Sequence, residues 1–200
     1  MAEISLDLIK SLREKTGCGM MDCKAALNET SGDTEKAIEI LRKKGLASAA
    51  KRAGREASQG VVESYIHTGG KLGVLVEINC ETDFVARNTD FTAFAKEVAM
   101  QIAAQAPLYV VKDDVPLEAI EHEKEIISEQ AKQEGKPEKA LEKIIEGRID
   151  KYYQEVCLME QPYIREPKKK VRDLLAELVA KIGENIVVRR FTRYQLGEKS

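Results

Sequence analysis

The chain has 200 residues, of which 43% are hydrophobic and 33% charged, and its formal net charge is −2. That is enough apolar material for one medium domain or two small ones, and a charge so near balance predicts no whole-molecule field that attracts nucleic acid. No run approaches the eighteen or so apolar residues of a spanning helix, and "MAEISLDLIK" is neither a signal nor a transit peptide, so a cytoplasmic protein without a membrane partner is expected.

Residues 1–45 predict three short helices. Ser5 caps the first, Leu8, Ile9 and Leu12 lie on one face of it, and Thr16-Gly17-Cys18-Gly19 breaks it. The second runs from Met20 to near Asn28. Asp33, after the Ser31-Gly32 turn, caps a third with Ala37, Ile40 and Leu41 inward, which is expected to stop at Gly45. Arg42, Lys43, Lys44, Lys51, Arg52 and Arg55 follow without an intervening acid. They read as a solvated helical linker or as a phosphate-binding segment, and the lack of a stacking aromatic favours the linker.

From Gly60 the period becomes that of a sheet. Val62, Ser64 and Ile66 alternate with Val61, Glu63 and Tyr65, Thr68-Gly69-Gly70-Lys71 turns, and Leu72 to Asn79 returns as the second strand of a hairpin. "ETDFVARN" (81–88) then leaves Phe84 with two readings. Asp83 caps a short helix and Phe84 packs inward, or Phe84 faces another protein; the general burial of aromatics favours the first. An amphipathic helix follows, with Phe91, Phe94, Ala95, Val98, Ala99 and Ile102 on its inner face, ending before Pro107.

The charged stretch 117–154 splits at Gly135-Lys136-Pro137 into two helical halves. Their seams are Leu117, Ile120, Ile127 and Ala131, then Leu141, Ile144, Ile145 and Ile149, which predicts a projecting antiparallel helical hairpin. A strand is expected around Val156-Cys157-Leu158-Met159. A last helix from Lys168 buries Val171, Leu174, Leu175, Leu178, Val179 and Ile182, is closed by Gly183, and leads into a terminal strand from Ile186 to Tyr194. The fold class expected is α+β.

Little in this sequence points to catalysis. It has no Walker-type phosphate loop, no G-x-S-x-G, and no histidine with a nucleophile and an orienting carboxylate. Cys18, Cys23, Cys80 and Cys157 lack the paired spacing of a zinc site and read as reduced, buried thiols, with an intermolecular disulfide as a minor possibility; no metal or cofactor is expected. Glu81 and Asp83 are two apart, a spacing that does not bring two carboxylates together. Binding is therefore the class expected.

Two long motifs make that class specific. "LREKTGCGMMDCKAAL" (12–27) and "EINCETDFVARN" (77–88) closely resemble the signatures of bacterial elongation factor Ts, the guanine-nucleotide exchange factor of elongation factor Tu. The resemblance extends to Glu134-Gly135-Lys136-Pro137 and to "KIGENI" at 181–186, and so covers nearly the whole chain. It implies a ubiquitin-associated-like three-helix domain with the basic linker over 1–52. Over 53–200 it implies a core dimerisation domain with an antiparallel sheet, flanking helices and the hairpin 117–154.

It also implies that Thr82, Asp83, Phe84 and Val85 intrude beside the Mg²⁺ site of elongation factor Tu, with Val85 and Ala86 packing inward as an anchor. Lys24 matches a contact to the nucleotide-binding domain, although an ordinary solvated lysine fits equally. Ile182 and Gly183 match a contact on the phosphate side, although Gly183 is also a helix stop. Gln101, where some longer members have His, carries no assigned role. Longer members hold two core units and this chain holds one, so it resembles the short form that pairs as a homodimer. The rival reading is an RNA-binding or ribosome-associated adaptor using the basic linker.

Overall fold

The computed structural model describes residues 4–198; the extreme ends of the two expected domains, 1–3 and 199–200, lie outside it. In chain order its elements are α1 (Leu6–Thr16), α2 (Met20–Glu29), α3 (Thr34–Arg52), β1 (Gln59–Ile66), β2 (Leu72–Cys80), α4 (Asp83–Ala86), α5 (Thr89–Gln105), α6 (Leu117–Gln133), α7 (Glu138–Val156), β3 (Pro162–Tyr163), β4 (Glu166–Lys170), α8 (Val171–Ile182) and β5 (Ile186–Gln195). The architecture is α+β, as expected. A three-stranded sheet has the order β1-β2-β5, and β3 pairs antiparallel with β4.

Two compact units share these elements. One takes the chain up to Glu63 with Glu77–Lys96 and Arg172–Arg189; the other takes Ser64–Val76, Glu97–Val171 and the chain from Arg190. In the first, the caps stand where the residues dictate. The Ser5 hydroxyl accepts the Leu8 N–H at 3.2 Å, the Asp33 carboxylate accepts the Lys36 N–H at 3.1 Å, and Gly17 ends α1 at φ +68°. α1, α2 and α3 pack on one another around Leu12, Cys23, Leu27 and Leu41.

The expected stop of α3 at Gly45 is wrong. The helix runs on to Arg52, because a lone glycine costs a helix only about 1 kcal/mol and tertiary packing outweighs it. A Cβ on Gly45 would stand 3.5 Å from the Cβ of Ala180 on α8, so this face of α3 lies close against that helix. Arg42, on the same helix, bonds the carboxylate of Asp173 on α8, which is 6% exposed. A buried carboxylate so paired escapes the cost of an unpartnered charge.

In the second unit α6 and α7 pack against each other, and the Arg148 guanidinium reaches Glu134 at 2.9 Å and Gln130 at 3.2 Å. Ile127, Ala131 and Ile149 are buried in the seam, whereas Leu117, expected there, is 76% exposed. The strand expected at 156–159 is absent. Val156 ends α7, Leu158–Glu160 make a 3₁₀ turn, and only Cys157 forms a bridge, to Tyr109. A four-residue apolar run reports burial, which is correct for Cys157, Leu158 and Met159, but not its backbone form.

Lys168 likewise belongs to β4, so the last helix starts three residues later than expected, at Val171. Gln101 is 1% exposed and has a structural part: its amide donates to Gln161 Oε1 and to the Pro162 carbonyl, both at 3.1 Å, and accepts the Ile164 N–H at 3.0 Å. Three of the thiols, Cys23, Cys80 and Cys157, are buried and Cys18 is half-buried, all of them free.

Candidate functional site

β2 ends at Cys80, and the chain then makes a single helical turn, α4, before α5 begins. The turn is capped one residue earlier than expected. Thr82 has extended backbone at φ −126° and ψ 156°, its hydroxyl accepts the Val85 N–H at 3.4 Å, and its carbonyl accepts the Ala86 N–H at 3.3 Å. Asp83 is the first helical residue instead, and its carboxylate pairs with Arg87 one turn on, at 2.8 Å. A cap needs extended backbone, and that falls on Thr82 because it directly follows the strand.

Successive side chains on a helix diverge by about 100°, so a one-turn helix cannot bury both Phe84 and Val85. Val85 is buried at 9% exposure and Phe84 is 80% exposed. The inward reading of Phe84 is therefore incorrect. Val85 anchors the turn, and Ala86 beside it is half-buried.

The anchoring continues across the chain. Glu184 accepts both donors of Thr82, the backbone N–H at 3.0 Å and the hydroxyl at 2.7 Å. Next to it the Asn185 N–H donates to Glu81 at 2.6 Å, and the Asn185 side-chain amide donates to the Arg55 carbonyl at 2.7 Å. The Arg55 guanidinium stands 3.4 Å from Glu81. Below the turn the Cys80 thiol donates to the Thr82 carbonyl at 3.2 Å; burial, with the Glu184 charge second, pushes this thiol up to about 11.

Ile182 is half-buried at the end of α8. Gly183 does stop that helix: it stands at φ +88°, and its N–H reaches the Val179 carbonyl at 2.9 Å. A Cβ there would meet nothing within 4 Å, so backbone conformation and not space demands glycine. Lys24 is exposed on α2, three residues after Met21, which is 76% exposed. The structure thus joins Thr82 to the turn after Gly183 through Glu184, and for Lys24 it gives exposure alone. Glu184, Asn185 and Arg55 were missed as members of this cluster. Their partners lie 102, 104 and 130 residues away, where no local pattern reaches.

A pinned turn that holds an aromatic ring in solvent is geometry suited to burying that ring in another molecule. The family follows from comparison with known proteins. The profile of the family described as Elongation factor TS matches residues 25–198. The elongation factor Ts of Desulforamulus reducens is 63% identical over 99% of this chain and 91% of its own length. That of Carboxydothermus hydrogenoformans is 62% identical over 98% and 90%, and that of Caldanaerobacter subterraneus subsp. tengcongensis 61% over 98% of each. The chain belongs to the elongation factor Ts family.

Proposed function

We propose that this chain is a guanine-nucleotide exchange factor that binds elongation factor Tu carrying GDP and promotes GDP release and GTP rebinding. The observation that carries this reading, within a member of the family, is Phe84, 80% exposed on an anchored turn. A GTPase holds its nucleotide through phosphate contacts and a bridging Mg²⁺, so a wedge that displaces the elements around the ion releases the nucleotide. An acceleration of about 10³–10⁴ needs roughly 4–5.5 kcal/mol of transition-state stabilisation. Burying one Phe supplies roughly 1.5–3 kcal/mol, and interface hot spots reach more, so the ring is a major contributor.

Asp83 and Thr82 shape the same contact, Val85 supports it from beneath, and Lys24, Ile182 and Gly183 are further docking contacts. The coupling is reciprocal, so GTP entering the emptied site weakens the factor's hold in turn. No covalent bond changes, and the factor acts without a cofactor or metal of its own. Among the described residues no helix is long and apolar enough to cross a membrane, and a cytoplasmic place beside the ribosome cycle fits that.

Residues 1–52 are read as a ubiquitin-associated-like domain and 53–200 as the dimerisation core, with 117–154 as a projecting hairpin. The packing of α1, α2 and α3 around their own core supports the first of these. The RNA-adaptor reading is weakened by the use already made of three of its six basic residues. Arg42 pairs with Asp173, Arg52 bonds Ser48, and Arg55 lies against Glu81. A homodimer is supported by a groove of about 610 Å³ whose lining includes Ile66, Leu75, Tyr194 and Leu196, side chains 67%, 48%, 73% and 76% exposed. A second copy of the same face is the occupant proposed.

Release of labelled GDP from elongation factor Tu, followed with and without this protein, tests the central claim. Acceleration of 10²-fold or more is expected, on the order of 3 kcal/mol. Unchanged release would overturn it.

A further inference from the structure

We propose that Glu184 is a positioning residue for Phe84: it fixes the cap of the one-turn helix and so presents the ring in a single orientation. The inference rests on the docking role of Phe84 given above. α4 has four residues, and a first helical turn fixes about six dihedrals for its one hydrogen bond, so the turn does not hold itself unaided. Phe84, exposed as it is, adds nothing to hold it either.

Order must come from below, from Val85, and from the N-terminal end, where Glu184 takes both Thr82 donors in a two-point grip. Two points fix the rotation of the cap as well as its place. Glu184 is itself fixed on both sides. Gly183 turns the chain at positive φ before it, and Asn185 after it is tied to Glu81 and to the Arg55 carbonyl. The Glu81–Asn185 bond already joins the two segments. The second carboxylate is therefore redundant as a tie, but it falls on the residue that caps the aromatic's turn. A ring ordered before docking loses less conformational entropy when it is buried, which favours the docked state.

The test compares stimulated GDP release for the wild type, Glu184→Ala, Glu184→Gln, Phe84→Ala and the Glu184→Ala/Phe84→Ala double variant, with unfolding temperatures for all five. Glu184→Ala is expected to lower the maximal stimulated rate about fivefold to tenfold, the scale of one lost hydrogen-bonding anchor. Glu184→Gln should recover most of that, because its amide oxygen accepts the Thr82 N–H while its NH₂ donates to the Thr82 hydroxyl oxygen. In the Phe84→Ala background the loss from Glu184→Ala should shrink to less than about twofold, since residues that act as a unit are not additive. Amide hydrogen exchange at Val85–Asn88 should quicken in Glu184→Ala.

Full-rate release by Glu184→Ala, or an undiminished loss in the Phe84→Ala background, would overturn the proposal. So would unfolding of both Glu184 variants at the assay temperature, which would make the residue structural. Wild-type speed from Phe84→Ala alone would sink the wedge reading and this proposal with it, and the hydrogen exchange would then show separately whether Glu184 orders the turn.

Discussion

At position 84 the burial habit of aromatics and the geometry of a single helical turn pull in opposite directions, and the turn prevails because Val85 takes the inward place. Phe84 therefore adds almost nothing to the core, and under the proposed function its ring acts in the complex. Phe84→Ala is expected to slow stimulated GDP release tenfold or more, about 1.4 kcal/mol or above, with an unchanged unfolding temperature. A large drop in that temperature would return the ring to the core. Asp83→Ala should slow release less, since its carboxylate is already engaged with Arg87. The buried thiols carry a separate consequence. Burial pushes Cys80 and Cys157 up to about 11 from an ordinary 9.0. Between those values the folded chain holds more protons than the unfolded one, so stability is full below pH 9 and falls as the pH rises toward 11. Urea midpoints measured across that window should fall less in a Cys80→Ala/Cys157→Ala variant.

At the scale of elements, α3 is the instructive case. Capped at Asp33, it passes through Gly45 and ends at Arg52, with Arg42 tied to α8. A methyl group at position 45 would find ordinary contact distances, 3.5 Å to the Ala180 Cβ and 3.8 Å to the Ala176 carbonyl. Gly45→Ala should therefore stabilise the protein by about 0.5–1 kcal/mol, a rise of about 1–4 °C in Tm by calorimetry. A fall would mean that α3 and α8 cannot absorb the methyl. Deleting residues 1–52 should weaken binding to elongation factor Tu in a calorimetric titration, because Lys24 is lost. It should also lower Tm while leaving a cooperative transition, because Asp173 loses Arg42 but the sheet and α5 remain. Undiminished affinity would remove the N-terminal helices from docking.

At the scale of the whole molecule, the proposed homodimer rests on the exposed apolar groove at Ile66, Leu75, Tyr194 and Leu196. A specific interface buries on the order of 1,200 Å² or more, so the homodimer should persist at micromolar concentration. Sedimentation under reducing conditions should give twice the chain mass, the reductant excluding a dimer held by a disulfide alone. Ile66→Lys with Tyr194→Lys should shift it to the monomer. A wild-type monomer that exchanges nucleotide at full rate would end the dimer reading.

Sequence alone settled those features whose cause is local. Ser5, Asp33 and Gly17 act on backbone within four residues of themselves, and the periods of 3.6 and 2 at Phe91–Ile102 and Leu72–Asn79 report which face is buried whatever it is buried against, whereas in β1 the same period leaves Val62 and Ile66 exposed. The two long motifs carried the family in the same way, as contiguous strings. Tertiary structure alone decided what depends on residues far apart in the chain. Gly45 continues a helix because α8 lies against it, 156–159 finds only the short segment Tyr109–Val110 to pair with and turns directly after Cys157, and Thr82 is gripped by a carboxylate 102 residues away. The physical reason is one of range. Propensity and capping act over a turn or two and are worth about 1 kcal/mol, whereas a buried contact or a two-point hydrogen bond from a distant segment matches or exceeds that and leaves no trace in the neighbouring letters.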